Sequence, residues 1–226
     1  MKTLEELQKS QNSLLILHYA CTDINNSPVI ITSISTKNYA TGQTSSFSYD
    51  EFGEEEKLLS AFVNHMKNYQ NYTIVTWNQK SSTYGIQYIQ RRCKELGVTN
   101  DFPIHMEQLV DLDDIYTEKY GRGYVKDPKL RCLADLNNIP LINFVEGKDE
   151  IDLFYKKEYK KIENSTNKKV SVIADYLTAS FKNKLKVSKG DKSKHKLTTV
   201  WKVIVAVGVI IGIIVSVIEL YKWVVR

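Results

Sequence analysis

Apolar positions fall into short runs and helical stripes that alternate along the first 180 residues. Residues 13–20, SLLILHYA, form an apolar run of strand length, and residues 28–36, PVIITSIST, form a second run rich in β-branched side chains. Asn25, Asn26 and Ser27 between them predict a turn, so the two runs are expected to pair as a hairpin. Residues 45–49 read as a third strand. Residues 54–69 read as a helix, with acids in the first turn and Leu58, Leu59, Phe62, Val63 and Met66 at helical spacing. YTIVTW (72–77) is a short buried strand, and residues 84–96 form a helix that Gly97 stops. LVDL (109–112) is a short strand; residues 128–138, 149–160 and 168–183 are helical. Three strands, a helix, a strand, a helix, a short strand and then helices predict an α/β layer, a mixed sheet covered by helices on both faces.

The far end of the chain follows a different pattern. Residues 203–218, VIVAVGVIIGIIVSVI, are sixteen positions without a charge. As a helix they cover ~24 Å, short of a hydrocarbon core ~30 Å thick. A helix over residues 200–225 closes the gap, with Lys202 and Lys222 reaching the interfaces from within lipid and Trp201, Tyr221 and Trp223 at belt positions. A buried core helix fits less well, because a lysine-rich linker, residues 181–199, separates the segment from the domain of residues 1–180. Lys182, Lys184, Lys186, Lys189, Lys192, Lys194 and Lys196 precede the span, and only Lys222 and Arg226 end it, so the positive-inside rule places the amino-terminal domain in the cytoplasm of a single-pass membrane protein. Lys189, Lys192, Lys194 and Lys196 either bind anionic lipid headgroups, at ~1 kcal/mol each, or serve only topology. Gly208, Gly212 and Ser216 lie four apart on one helix face, the spacing at which two membrane helices approach closely and self-associate. The same spacing also arises by chance in Gly- and Val-rich spans.

Charge changes the picture of partners. Residues 180–226 carry ten of the 31 Lys and Arg and two of the 26 Asp and Glu; the remainder, 21 basic against 24 acidic, has a net charge of −3 although the whole chain is +5. The basic footprint of a nucleic-acid binder is therefore missing from the domain itself, and membrane lipid is the nearer partner for the lysines. Cys21, Cys93 and Cys132 have neither disulfide nor metal-ligand spacing and read as reduced. The start, MKTLEELQKSQN, is not that of a secretory signal peptide.

Three stretches carry a resemblance. The first strand is followed by a turn and a β-rich second strand. TIVTWNQKSSTYGIQYIQRRCKELG (73–97) has a strand ending in a Trp-Asn turn, then a helix ending in an arginine-rich turn. LVDLDDIY, then KLRCLADLNNI, has an Asp-Leu strand followed by a helix of Leu-x-x-Leu-Ala type. From residue 13 to about 180 the chain resembles the ribonuclease H-like 3′–5′ exonucleases of the DEDD superfamily. The resemblance implies a ribonuclease H-like mixed sheet flanked by helices. In that family two divalent ions stabilise the attacking and leaving oxygens of phosphodiester hydrolysis, held by hard carboxylate ligands. Two acids lie two apart on the first strand, a third opens the helix after the Asn turn, and a fourth lies in the last helix.

This sequence departs from that pattern at each place. His18 and Ala20 stand where the first-strand acids belong, Gly85 stands at the third, and in KKVSVIADYLTASF either Lys169 or Asp175 stands at the fourth. One carboxylate cannot hold two ions, so no cofactor is expected. The alternative is a displaced Mg or Mn site using Asp23, Asp111 or Asp175. His18 reads as a satisfied core or cleft histidine rather than a ligand; His65 and His105 are isolated. Asp111 suits the end of a strand and Asp113 an N-cap, and Ser81, Ser82 and Thr83 suit helix capping. Gly121 and Gly123 flank Arg122 in a flexible loop that is not a phosphate cradle.

These readings point to a membrane-anchored, catalytically degenerate exonuclease-like domain working as a binding or signalling module at the cytoplasmic face. Its cleft would take a nucleotide or nucleic-acid end or a protein partner that the sequence does not name. Bacterial defence is a context suggested by analogy alone. Two alternatives stay open. One is a membrane-tethered, metal-dependent exonuclease with a displaced site. The other is a membrane-perturbing effector triggered by the domain.

Overall fold

The apolar run around Ile16 becomes the central strand of the sheet. The computed structural model describes residues 2–26, 28–78 and 84–188. In it β1 (Leu14–Cys21) pairs antiparallel with β2 (Ile31–Asn38), which pairs antiparallel with β3 (Thr44–Ser48). On its other side β1 pairs parallel with β4 (Thr73–Thr76), and β4 with β5 (Leu109–Asp111). The strand order is β3-β2-β1-β4-β5. β1 is buried along nearly its whole length, and apolar apart from His18, because helices cover both of its faces, where a half-solvated strand would alternate. Leu14 and Ile16 join Val75 and Val110 in one core; Leu15, Leu17 and Tyr19 join Ile34 and Ile74 in the other, as the two-residue period of a strand requires.

The helices are α1 (Leu4–Lys9), α2 (Tyr49–Phe52), α3 (Glu55–Met66), α4 (Ile86–Glu95), α5 (Leu112–Tyr120), α6 (Lys129–Leu136), α7 (Gly147–Tyr155) and α8 (Tyr159–Phe181). Leu58, Phe62 and Ile89 of α3 and α4 cover one face of the sheet; Val170, Ile173 and Leu177 of α8, with α5 and α6, cover the other. A buried ion pair ties the first layer together. Arg92 of α4 bonds Glu55 of α3, whose Oε1 also accepts the Ile31 amide at 2.9 Å. The described chain is thus a mixed α/β fold with a five-stranded mixed sheet flanked by helices.

The structure differs from the expected elements in three respects. Three short helices, α1, α2 and α5, add to those expected. Asp111 both ends β5 and caps α5, accepting the Asp113 amide at 3.0 Å, so the cap is Asp111 and not Asp113. α8 is one helix of 23 residues beginning at Tyr159, nine residues before the expected start at Lys168. The polar stretch 163–167, which lowers helix propensity, is helical because its side chains are claimed by the fold. Ser165 Oγ donates to the Val145 carbonyl, and the Thr166 hydroxyl bonds those of Ser33 and Ser35 at 2.7 and 2.8 Å.

The packed body also continues past residue 180. Leu185 and Val187 lie against the α8-side core, and the Ser188 amide donates to the Tyr124 carbonyl at 2.8 Å. Among the described residues no helix is long and apolar enough to cross a membrane. The proposed span, residues 200–225, lies outside them, as do Lys189, Lys192, Lys194, Lys196, Gly208, Gly212 and Ser216, and the capping candidates Ser81, Ser82 and Thr83.

Candidate functional site

A cleft of about 590 Å³ opens where β1 and β4 end and α7 and α8 pass over them. Its position at the carboxyl ends of parallel strands is where open α/β sheets usually take ligands. Its floor is His18, on the β1 face turned toward α8, and its walls include Trp77, Tyr84 and Phe144. His18 is only 6% exposed, and its Nδ1 has no hydrogen-bond partner. Burial, and secondarily the nearby Lys169 ammonium, holds its pKa well below the ordinary histidine value, so the ring is neutral. The expectation of a satisfied histidine is therefore corrected. The ring is buried as expected, but one of its nitrogens is left unpaired.

Lys169 decides the chemistry of the cleft. It lies on the buried stripe of α8 between Thr166 and Val170, and its Nζ meets Glu150 Oε1 of α7 at 2.7 Å. Both side chains are almost wholly buried, 5% and 3% exposed. The ammonium also sits 5.5 Å from the centre of the Phe144 ring, an attractive arrangement for a cation over an aromatic face. Of the two candidate positions in the last helix, Lys169 lines the cleft. Asp175 is six residues on, turned by roughly 240°, and exposed. Partial burial raises the Asp175 carboxyl, with Lys168 and Lys37 opposing.

The remaining positions are brought close but carry no carboxylate. Ala20, 2% exposed, is two residues beyond His18 on the same strand. Gly85 opens α4, and its amide donates to Tyr19 Oη at 2.9 Å. Tyr84 Oη donates in turn to the Tyr19 carbonyl at 2.9 Å, and the two rings stack at 4.7 Å. This exchange fastens the start of α4 to the end of β1. Burial pushes both phenols above their usual range.

The displaced-site carboxylates are not assembled. Asp23 accepts from the Asn25 amide and from the Asn25 and Asn26 side chains in the β1–β2 turn, at 2.9–3.0 Å. Asp111 Oδ1 accepts the amides of Asn78 and Asp113, both at 3.0 Å. This fixes the Trp77–Asn78 turn, where Asn78 adopts the left-handed conformation that asparagine tolerates. β4 separates β1 from β5, so their axes are ~10 Å apart. Among the described residues no group of three or more His, Cys, Asp or Glu is placed to hold a metal ion. His65 bonds Thr36 Oγ1 at 3.1 Å, and His105 sits at a helical turn before β5. Burial pushes the Cys21 and Cys93 thiols up to about 12, which makes them poor nucleophiles.

Sequence reasoning missed Glu150, Phe144 and the second ion pair at the cleft, Lys129 Nζ with Asp113 Oδ1 at 2.8 Å. One signal was available. Lys169 falls on the apolar stripe of α8, where a lysine is almost never buried without a partner. The partner itself, on another helix, has no sequence signature. No protein-family model matches the chain, and no curated protein matches it.

Proposed function

We propose that this chain is a membrane-anchored, non-catalytic domain of ribonuclease H-like type, whose cleft binds a ligand at the cytoplasmic face instead of hydrolysing one. Three antiparallel strands followed by two parallel ones, with the last long helix crossing the central strand, support the ribonuclease H-like reading. The observation that carries the loss of catalysis is the Lys169–Glu150 pair beside neutral His18. A two-ion phosphodiesterase gathers carboxylates at this place. Here a buried ammonium occupies the cleft, pairs with the Glu150 carboxylate and repels a divalent cation.

Binding is supported by what the cleft leaves unspent. Its ionic groups are largely paired: Lys169 with Glu150 and Lys129 with Asp113 inside the lining, and Glu146 with Arg131 beside it. His18 Nδ1 and the walls of Trp77, Tyr84 and Phe144 remain, uncharged groups among the paired ions of the lining. The uncharged part of a nucleotide or of a nucleic-acid end suits such a lining better than its phosphates do.

The test is hydrolysis of single-stranded DNA and RNA by the purified full chain with Mg²⁺ or Mn²⁺. No hydrolysis is expected. Metal-dependent cleavage that disappears in Asp23→Ala or Asp175→Ala would replace this reading with the tethered exonuclease.

A further inference from the structure

We infer that the loop between α6 and α7, together with the segment 182–188, is a docking face by which the domain rests on an anionic bilayer surface. The inference rests on the membrane anchoring proposed above. The loop, residues 137–146, is bent twice by asparagines in the left-handed conformation, Asn138 and Asn143. Between these bends Ile139 and Leu141 pack against the core, while Ile142 is turned outward and is 76% exposed. The Phe144 amide closes a turn on the Leu141 carbonyl at 3.0 Å, which puts Ile142 at the tip, a place where chains usually carry Gly, Asn or Asp. Leu136, at the end of α6, is the neighbouring exposed apolar side chain, at 36%.

Single exposed apolar residues are ordinary on protein surfaces. What distinguishes this pair is where the chain leaves the domain. Asn137 Nδ2 donates to the Lys186 carbonyl at 2.9 Å, and the Lys186 amide donates back to Asn137 Oδ1 at 2.8 Å. The loop is thereby clasped to the segment that leads toward the apolar run of residues 203–218. The eleven positions after Ser188 that precede the span reach at most about 40 Å fully extended, so this face is the one tethered nearest the bilayer. Its charge matches. Lys182, Lys184 and Lys186 are exposed, and neither 136–143 nor 182–188 contains an acid. An apolar tip on a loop clasped to a lysine-bearing segment is the combination that partitions into the headgroup zone of anionic lipid. Because the tether keeps the local lipid concentration high, weak docking suffices.

The experiment uses the full chain in vesicles of mixed zwitterionic and anionic phospholipid, in a Trp201→Phe/Trp223→Phe background. One variant carries Ile142→Trp. The other carries Met106→Trp, an exposed position in the layer on the opposite face of the sheet. Brominated lipid is expected to quench Ile142→Trp and to leave Met106→Trp unchanged. Replacing Lys182, Lys184 and Lys186 by Gln should reduce that quenching, as should Asn137→Ala, which opens the clasp. Equal quenching at the two positions overturns the docking face while leaving the anchor intact. A chain that fails to float with the vesicles after a high-salt wash overturns the anchor, and the docking face with it.

Discussion

Replacing Lys169 by methionine isolates the charge at the floor of the cleft while keeping most of the side-chain volume. The ammonium lies 2.7 Å from Glu150 Oε1, and both groups are almost fully buried. Removing it leaves a carboxylate in the interior without its counter-charge. Breaking one side of a buried pair costs about 3–5 kcal/mol, whereas replacing both sides by apolar groups of similar volume is often neutral or stabilising. A domain of this size melts ~2–4 °C lower per kcal/mol lost, so Lys169→Met is expected to lower the melting temperature by roughly 6–20 °C, and Glu150→Met by a similar amount. The double variant Lys169→Met/Glu150→Met should recover most of the loss. The exposed pair Lys57–Glu54, 67% and 52% exposed, is the control, and Lys57→Ala should change nothing measurable. Denaturant unfolding of the four variants and the wild type completes the double-mutant cycle. A loss under ~1 kcal/mol in both single variants, the range of surface pairs, would refute the reasoning, as would a double variant as unstable as the summed singles.

Other expectations follow from the same chemistry. His18 is neutral in the fold, while the unfolded chain takes up a proton as pH falls below about 6.5. The unfolded state then binds more protons, so stability falls by ~1.4 kcal/mol per pH unit from there down to the depressed folded pKa. His18→Gln should therefore lose less stability than the wild type between pH 7 and pH 5, and parallel pH curves for the two would rule this out. In membrane fractionation the full chain should survive carbonate and high-salt washing, while a chain ending at Ser188 should be found in the supernatant; release of the full chain by salt would count against the span, since salt screens lysines but not apolar burial. In a membrane two-hybrid assay on residues 197–226, Gly212→Ile should weaken self-association and Val209→Ile should not. Equal association in all three would reduce the Gly208, Gly212 and Ser216 stripe to chance.

The elements legible in the sequence are those whose periodicity is imposed by the layers around them. β1 and β4 read as strands because both faces are buried, and α3 reads as a helix because one stripe is. The expectation failed where tertiary bonding overrode local preference. Ser165 and Thr166 look like helix breakers until Val145, Ser33 and Ser35 supply their partners, and those partners lie 20 to 133 residues away. The positions that the resemblance singled out at His18, Ala20 and Gly85 were legible because each falls at a fixed place on a strand or at a helix start, whereas within the last helix the sequence left Lys169 and Asp175 as alternatives. The partners that surround Lys169 were not legible. Glu150 is nineteen residues from Lys169 on a separate helix, and Phe144 comes from the loop before it.

If the cleft binds a ligand as proposed, the Lys169–Glu150 pair joins stability to recognition. It ties α7 to α8 across the end of β1, so the groups that close the floor of the cleft also hold its walls in place. A buried ion pair is weak support for stability, since a well-packed apolar pair does as well or better. Its retention makes sense if the charges also orient what enters beside His18. The double variant Lys169→Met/Glu150→Met separates these roles. It should melt near or above the wild type, yet a ligand that raises the wild-type melting temperature by binding the folded state should raise that of the double variant less. If such a ligand shifts both chains equally, the pair is structural only, and recognition falls to His18 Nδ1 and the aromatic walls.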